Sequence, residues 1–139
     1  MDIFERIERY RAEEEKLQWT GTFRDYVEIV RSNPRVARTA HARVYDMIAW
    51  HGIYEVNGQK KYKFFEQGIF GLDRTIEKLV EEYFHSAARR LDVRKRILLL
   101  MGPVSGGKST IVTMLKRGLE RYSKTDEGAL YAIKGCPMQ

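Results

Sequence analysis

Gly102-Pro103-Val104-Ser105-Gly106-Gly107-Lys108-Ser109 fits the pattern G-x-x-x-x-G-K-[ST], with Gly102, Gly107, Lys108 and Ser109 at the defining positions. The apolar run Ile97-Leu98-Leu99-Leu100-Met101 precedes it, and the helix-like segment Thr110 to Tyr122 follows it. A strand, a glycine-rich turn and a helix in that order form the opening unit of a parallel α/β sheet. The same order makes a polyphosphate site. The motif therefore predicts a chain that binds a nucleoside triphosphate.

Each residue type in the loop has a physical role. Gly106 and Gly107 lack Cβ atoms, so the backbone can turn tightly and bring its N–H groups against phosphate oxygens. Together with the unpaired amides that open the next helix, these groups make a concavity suited to anions. Lys108 carries a mobile ammonium that reaches the β- and γ-phosphates, the catalytic contribution expected of this loop. Ser109 offers a hydroxyl to Mg²⁺, an ion that keeps few protein ligands and otherwise holds water and phosphate oxygens. Thr110 is placed to meet the α-phosphate. The competing reading is an ordinary glycine-rich turn capping a surface helix.

Composition narrows the class. The chain has 139 residues, 43% hydrophobic and 32% charged, which describes a globular protein with room for one ordinary domain or one small domain and part of another. No apolar run approaches the roughly 20 residues of a membrane span, and the charged start Asp2-Ile3-Phe4-Glu5-Arg6 has no signal-peptide core. A membrane partner is not expected. The single cysteine, Cys136, excludes an internal disulfide and fits a reducing cytoplasm. The net charge of +6 raises a nucleic-acid hypothesis, but much of the excess lies in Arg89-Arg90-Leu91-Asp92-Val93-Arg94-Lys95-Arg96, just before the phosphate loop. There it adds positive potential near an anionic nucleotide or solvates a loop. His41, His51 and His85 are too scattered in sequence for a local metal site.

Two organisations follow along the chain. In residues 1–66, helices are predicted over Asp2 to Gln18, over Phe23 to Arg31 with Thr22 as N-cap, and over Arg35 to Trp50. Pro34 stops the second of these. Asn57-Gly58, between Ile53-Tyr54-Glu55-Val56 and Lys61-Tyr62-Lys63-Phe64-Phe65, signals a β-hairpin. This helical module carries no catalytic constellation and reads as a segment for packing, regulation or partner binding. In residues 67–139 a helix is predicted from Leu72 to about Arg90, then the strand Ile97 to Met101, the loop, its helix, and a second core strand Ala129 to Lys134. Two parallel strands cannot cover both faces of a sheet by themselves. No apolar run ending in Asp or Glu follows Lys108, so the usual acidic Mg²⁺ partner is missing. The expectation is the N-terminal part of a longer nucleotide-dependent protein, with an incomplete hydrolytic site.

Longer stretches resemble a known family. Ile69-Phe70-Gly71-Leu72, the segment Leu91 to Thr110, Tyr131-Ala132-Ile133-Lys134-Gly135-Cys136-Pro137-Met138, Phe23-Arg24-Asp25-Tyr26 and Thr39-Ala40-His41-Ala42-Arg43-Val44 are similar to the PrkA serine protein kinase family. The resemblance implies a bacterial, cytoplasmic and longer protein. It implies an N-terminal AAA-type ATPase domain, a C-terminal kinase-like region, and ATP-dependent phosphorylation of protein serine or threonine. It assigns Gly102 to Thr110 as the Walker A element that binds ATP with Mg²⁺. It also assigns Ile69, Phe70 and Gly71 to a motif that contacts adenine, against the alternative of a turn capping the following helix. A protein substrate and homo-oligomerisation are implied for the intact enzyme. The acidic Walker B strand, the sensor residues, an arginine finger and a kinase catalytic loop have no match here, so the chain alone is expected to be weakly active or inert. Two other functions stay open: an AAA-type ATPase that remodels or degrades proteins, and a nucleotide-switched partner-binding module.

Overall fold

The computed structural model describes residues 2–89 and 97–137. The chain forms two compact units, Met1–Arg35 and Val36–Gln139. Most of the basic stretch before the phosphate loop, residues 90–96, and Met138 lie outside the described residues.

The first unit holds α1 (Ile3–Leu17) and α2 (Phe23–Ser32). The α1 helix opens where the Asp2 amide donates to the Glu5 carboxylate at 3.2 Å. The predicted Thr22 cap is present. The Asp25 amide donates to Thr22 Oγ1 at 3.3 Å, and the Thr22 amide donates to Asp25 Oδ2 at 2.7 Å. This reciprocal pair satisfies two amides that a helix start leaves orphaned. It also holds the exposed Asp25 carboxyl below its ordinary range, the Thr22 side-chain hydrogen bond being the main cause. The α2 helix ends at Ser32, before Pro34, as the proline requires.

The expected single helix over 35–50 is divided. A 3₁₀ turn covers Pro34–Ala37, and α3 begins afresh at Ala40 and runs to Trp50. Thr39 lies in the extended region (φ −65°, ψ 158°) as the N-cap of α3. Its extended backbone, without a side-chain cap hydrogen bond, interrupts the helix. The hairpin follows the sequence signal. Strands β1 (Ile53–Val56) and β2 (Gln59–Tyr62) pair antiparallel with Ile53 opposite Tyr62 and Val56 opposite Gln59. Asn57 and Gly58 both have positive φ, 53° and 76°, as a type I′ turn needs. Beyond Tyr62 the expected strand gives way to a helical turn, α4 (Lys63–Glu66), which buries both Phe64 and Phe65. Adjacent residues on a strand point to opposite faces, so a strand would have left one ring outside.

The long helix predicted from Leu72 is built as α5 (Asp73–Lys78), a π-helical segment (Leu79–His85) and α6 (Ser86–Ala88). Its inner side packs with α3, α4 and α7 (Lys108–Tyr122) around Met47, Ile48, Phe65 and Val80, the most deeply buried side chains. Gly118 sits where α7 meets this core. A Cβ there would fall 2.6 Å from Phe64 Cε2 and 2.8 Å from Met47 Sδ. That glycine gives up about 1 kcal/mol of helix propensity for close approach.

The hairpin is tied to the π-helical segment through Glu81. Its carboxylate accepts from Tyr62 Oη at 2.8 Å, Lys60 Nζ at 3.0 Å and His85 Nδ1 at 2.8 Å. Burial pushes the Glu81 carboxyl up, but these three donors together outweigh it and hold the group below its ordinary value. A depressed folded-state pKa stabilises the fold above the unfolded value of about 4.3 and is lost as pH falls through the lower folded value. The thermal midpoint is therefore expected to fall on acidification below about pH 4.3, and less steeply in Glu81→Gln. Melting curves between neutral and strongly acidic pH measure this; equal slopes in the two proteins would show that Glu81 does not carry the effect.

The parallel sheet is not seen. Residues 97–101 and 129–134 have no strand pairing, and the only sheet among the described residues is the two-stranded hairpin. Ile97 is 93% exposed and Leu99 73%. A parallel strand is stable when neighbours complete its ladder and both faces are covered, and neither condition is met here. The observed class is a mixed fold of helices and one small antiparallel sheet.

Candidate phosphate-binding site

Gly107 caps α7 in the left-handed region, with φ 78° and ψ 0°. Ser105, two residues earlier, is also left-handed at φ 66°. For a serine this conformation costs about 1–3 kcal/mol, so the surrounding loop must hold it there. Alternation of hand along such a segment turns successive amides toward one concavity, the geometry that receives anions. The Gly106 amide donates to the Pro103 carbonyl at 3.1 Å and closes the turn. A Cβ on Gly106 would stand 3.0 Å from that same oxygen, so the turn has little room for a side chain.

Gly107 brings no side-chain hydrogen bond to the start of α7. The amides of Lys108, Ser109 and Thr110 are thus the helix donors that lack intrahelical acceptors, at the positive end of the helix dipole. Lys108 Nζ donates to the carbonyls of Gly102 and Pro103, which places the ammonium across the loop. Ser109 and Thr110 are exposed on the first turn of α7, and Val104 at the tip is 96% exposed. Gly102, Pro103, Val104, Ser105, Gly106, Gly107, Lys108, Ser109 and Thr110 therefore form one continuous loop and helix start. Their backbone hand, open amides and single cation fit a polyphosphate. Ser109 is the residue of this set suited to Mg²⁺.

The predicted adenine segment lies beside this loop. The Gly68 and Ile69 amides donate to the Phe65 carbonyl at 3.2 and 3.0 Å, and Ile69 packs against the core. Phe70 is 83% exposed. Gly71 turns the chain with φ 74°. Leu72 Cδ1 comes within 3.6 Å of where a Gly107 Cβ would be. Gly68 approaches Met114 and Thr110 on α7. Sequence reasoning placed Leu72 at the start of a helix and missed both contacts. The Gln67-Gly68 turn ahead of Ile69 was the available signal.

Arg43 is buried, and its guanidinium donates to the carbonyls of Gly128 and Ala129, the latter at 2.9 Å. This fixes the chain leaving α7 onto α3. Among the described residues no helix is long and apolar enough to cross a membrane.

Comparison with known proteins identifies the family. The sequence profile of the PrkA AAA domain matches residues 21–139. A Bacillus subtilis (strain 168) protein named ATP-dependent protease PrkA is 67% identical over 138 residues, covering 99% of this chain and 22% of that protein. A Geobacillus stearothermophilus protein, named as an uncharacterized protein in the gldA 5′ region, is 61% identical over 97 residues, 70% of this chain and all of its own length. The serine/threonine kinase YeaG of Escherichia coli (strain K12) is 43% identical over 56 residues, 40% of this chain and 8% of that protein. The chain thus spans 22% of the Bacillus relative's length. No solved structure matches the chain.

Proposed function

Because this chain belongs to the PrkA AAA-domain family, we propose that it binds Mg·ATP through residues 102–110 and serves as the nucleotide-binding part of an ATP-dependent protein kinase. The observation that carries the reading is the loop itself: two left-handed residues, Ser105 and Gly107, lead into a helix start whose first residue is Lys108. Amides of the loop and of α7 hold phosphate oxygens. Lys108 leaves its two carbonyl acceptors for the β- and γ-phosphates. Ser109 ligates Mg²⁺, which neutralises phosphate charge when bound. Ile69, Phe70 and Gly71 meet the adenine.

A second reading is supported by the name of the Bacillus relative: ATP use coupled to proteolysis. Both readings share the same site. In a protein of the relatives' length, γ-phosphate found on protein favours the kinase, whereas peptide products that depend on ATP favour the protease. A protein substrate and a homo-oligomer belong to either proposal.

Binding to the folded state alone raises stability by RT ln(1 + [L]/Kd), about 2.7 kcal/mol at 100 times Kd. Saturating Mg·ATP is therefore expected to raise the melting temperature by several degrees, with a much smaller shift from Mg·AMP. Equal shifts from both nucleotides would count against recognition of the polyphosphate.

A further inference from the structure

We propose that Gly68 and Met114 act as a spacer that sets the distance between the base-reading segment and the phosphate loop, and so governs preference for an adenine nucleotide over bare polyphosphate. The inference rests on the nucleotide reading above. A Cβ on Gly68 would stand 2.8 Å from Met114 Sδ and 3.7 Å from Thr110 Cγ2. Thr110 belongs to the phosphate motif, and Met114 lies one turn further along the same face of α7. The backbone at Gly68 therefore rests directly on the helix that carries the loop. At the other end of the segment, Leu72 abuts Gly107, the cap of that helix. Phe70 lies between the two contacts and is largely exposed. Its height above the loop is thus set at Gly68 and at Leu72.

The two glycines of this segment are there for different reasons. Gly71 adopts φ 74°, and a Cβ there would meet nothing within 4 Å, so it supplies backbone freedom. Gly68 does not adopt the left-handed conformation, and its Cβ would meet the methionine, so it supplies space. Met114 is partly buried against the core, which limits how far its flexible thioether can yield. One added methyl is partly absorbed by the thioether. Three added carbons exceed what the thioether can absorb and lift the segment from α7, while the Phe65 carbonyl keeps hold of the Gly68 and Ile69 amides. The phosphate loop and the α7 amides keep their geometry, so contacts to a bare triphosphate are retained.

Calorimetric titration of the chain with Mg·ATP and with Mg·tripolyphosphate tests this, with circular dichroism as a check on folding. In Gly68→Val, ATP affinity is expected to fall about tenfold, with tripolyphosphate affinity changed by less than about twofold. Adding Met114→Ala to Gly68→Val is expected to restore most of the ATP affinity. Equal loss for both ligands, no loss, or no recovery would overturn the spacer. A wild-type chain that binds both ligands without preferring ATP would also overturn it, while leaving the phosphate site intact. Binding of neither ligand by the wild type would overturn the nucleotide reading and the spacer with it. If Gly68→Val does not fold, Gly68→Ala carries the same comparison with an expected ATP loss of about threefold.

Discussion

Lys108→Ala is expected to weaken Mg·ATP binding by about 10- to 100-fold and Mg·ADP binding by clearly less. A charge-assisted hydrogen bond contributes about 1.5–3 kcal/mol, and each 1.4 kcal/mol is a factor of about ten in affinity. The ammonium sits across the loop on the Gly102 and Pro103 carbonyls and must exchange those acceptors for phosphate oxygens. The exchange is favourable because a phosphate oxygen carries formal charge and a carbonyl does not. A triphosphate offers the lysine both β- and γ-oxygens, and a diphosphate offers only β. Paired titrations of the wild type and the mutant with the two nucleotides measure the difference. Equal losses for ATP and ADP would place the ammonium elsewhere.

Phe65→Ala is expected to destabilise the chain by about 3–5 kcal/mol, the range for removing a large ring from a close-packed core. Phe65 is 2% exposed and meets Phe64 edge-on, with ring centroids 4.8 Å apart. It lies in the same cluster as Met47, Ile48, Val80 and Ile111, which come from α3, the π-helical segment and α7. No single neighbouring chain segment can collapse into the volume it leaves. Urea unfolding of both proteins gives the difference directly. A loss below about 1 kcal/mol would mean that the core described here is not the stabilising one.

How much of this was legible in the sequence depended on whether the cause was local. The Thr22 cap, the stop before Pro34 and the Asn57-Gly58 turn are each decided within four residues, and each appears where its side-chain chemistry puts it. The turn over residues 102–108 has local causes too, since Gly107 takes the left-handed conformation and the Lys108 ammonium reaches the Gly102 and Pro103 carbonyls. The helical turn at Lys63–Glu66 was hidden because its cause is distant: both Phe64 and Phe65 must reach a core built by α3 and α7. Gly118 is explained only by distant residues, because Phe64 and Met47 leave no room for a Cβ there. The apolar runs at 97–101 and 129–134 show the converse. Their composition favours strands, yet pairing partners decide whether a strand forms, and among the described residues they have none.

The association of Ile69, Phe70 and Gly71 with the phosphate loop was legible only through family resemblance. What brings them together is the contact of Leu72 with Gly107 and the rest of Gly68 on Met114, and no local pattern encodes either. Glu81 is a similar case. Its partners Lys60, Tyr62 and His85 come from β2 and from one turn along its own helix.

The central claim is that the loop over residues 102–110 is a nucleotide site. Calorimetric titration of the wild-type chain with Mg·ATP tests it most directly. Saturable binding of one nucleotide per chain, lost on Lys108→Ala, is the predicted result. A chain that is folded by circular dichroism, yet gives no saturable heat with Mg·ATP, would contradict it.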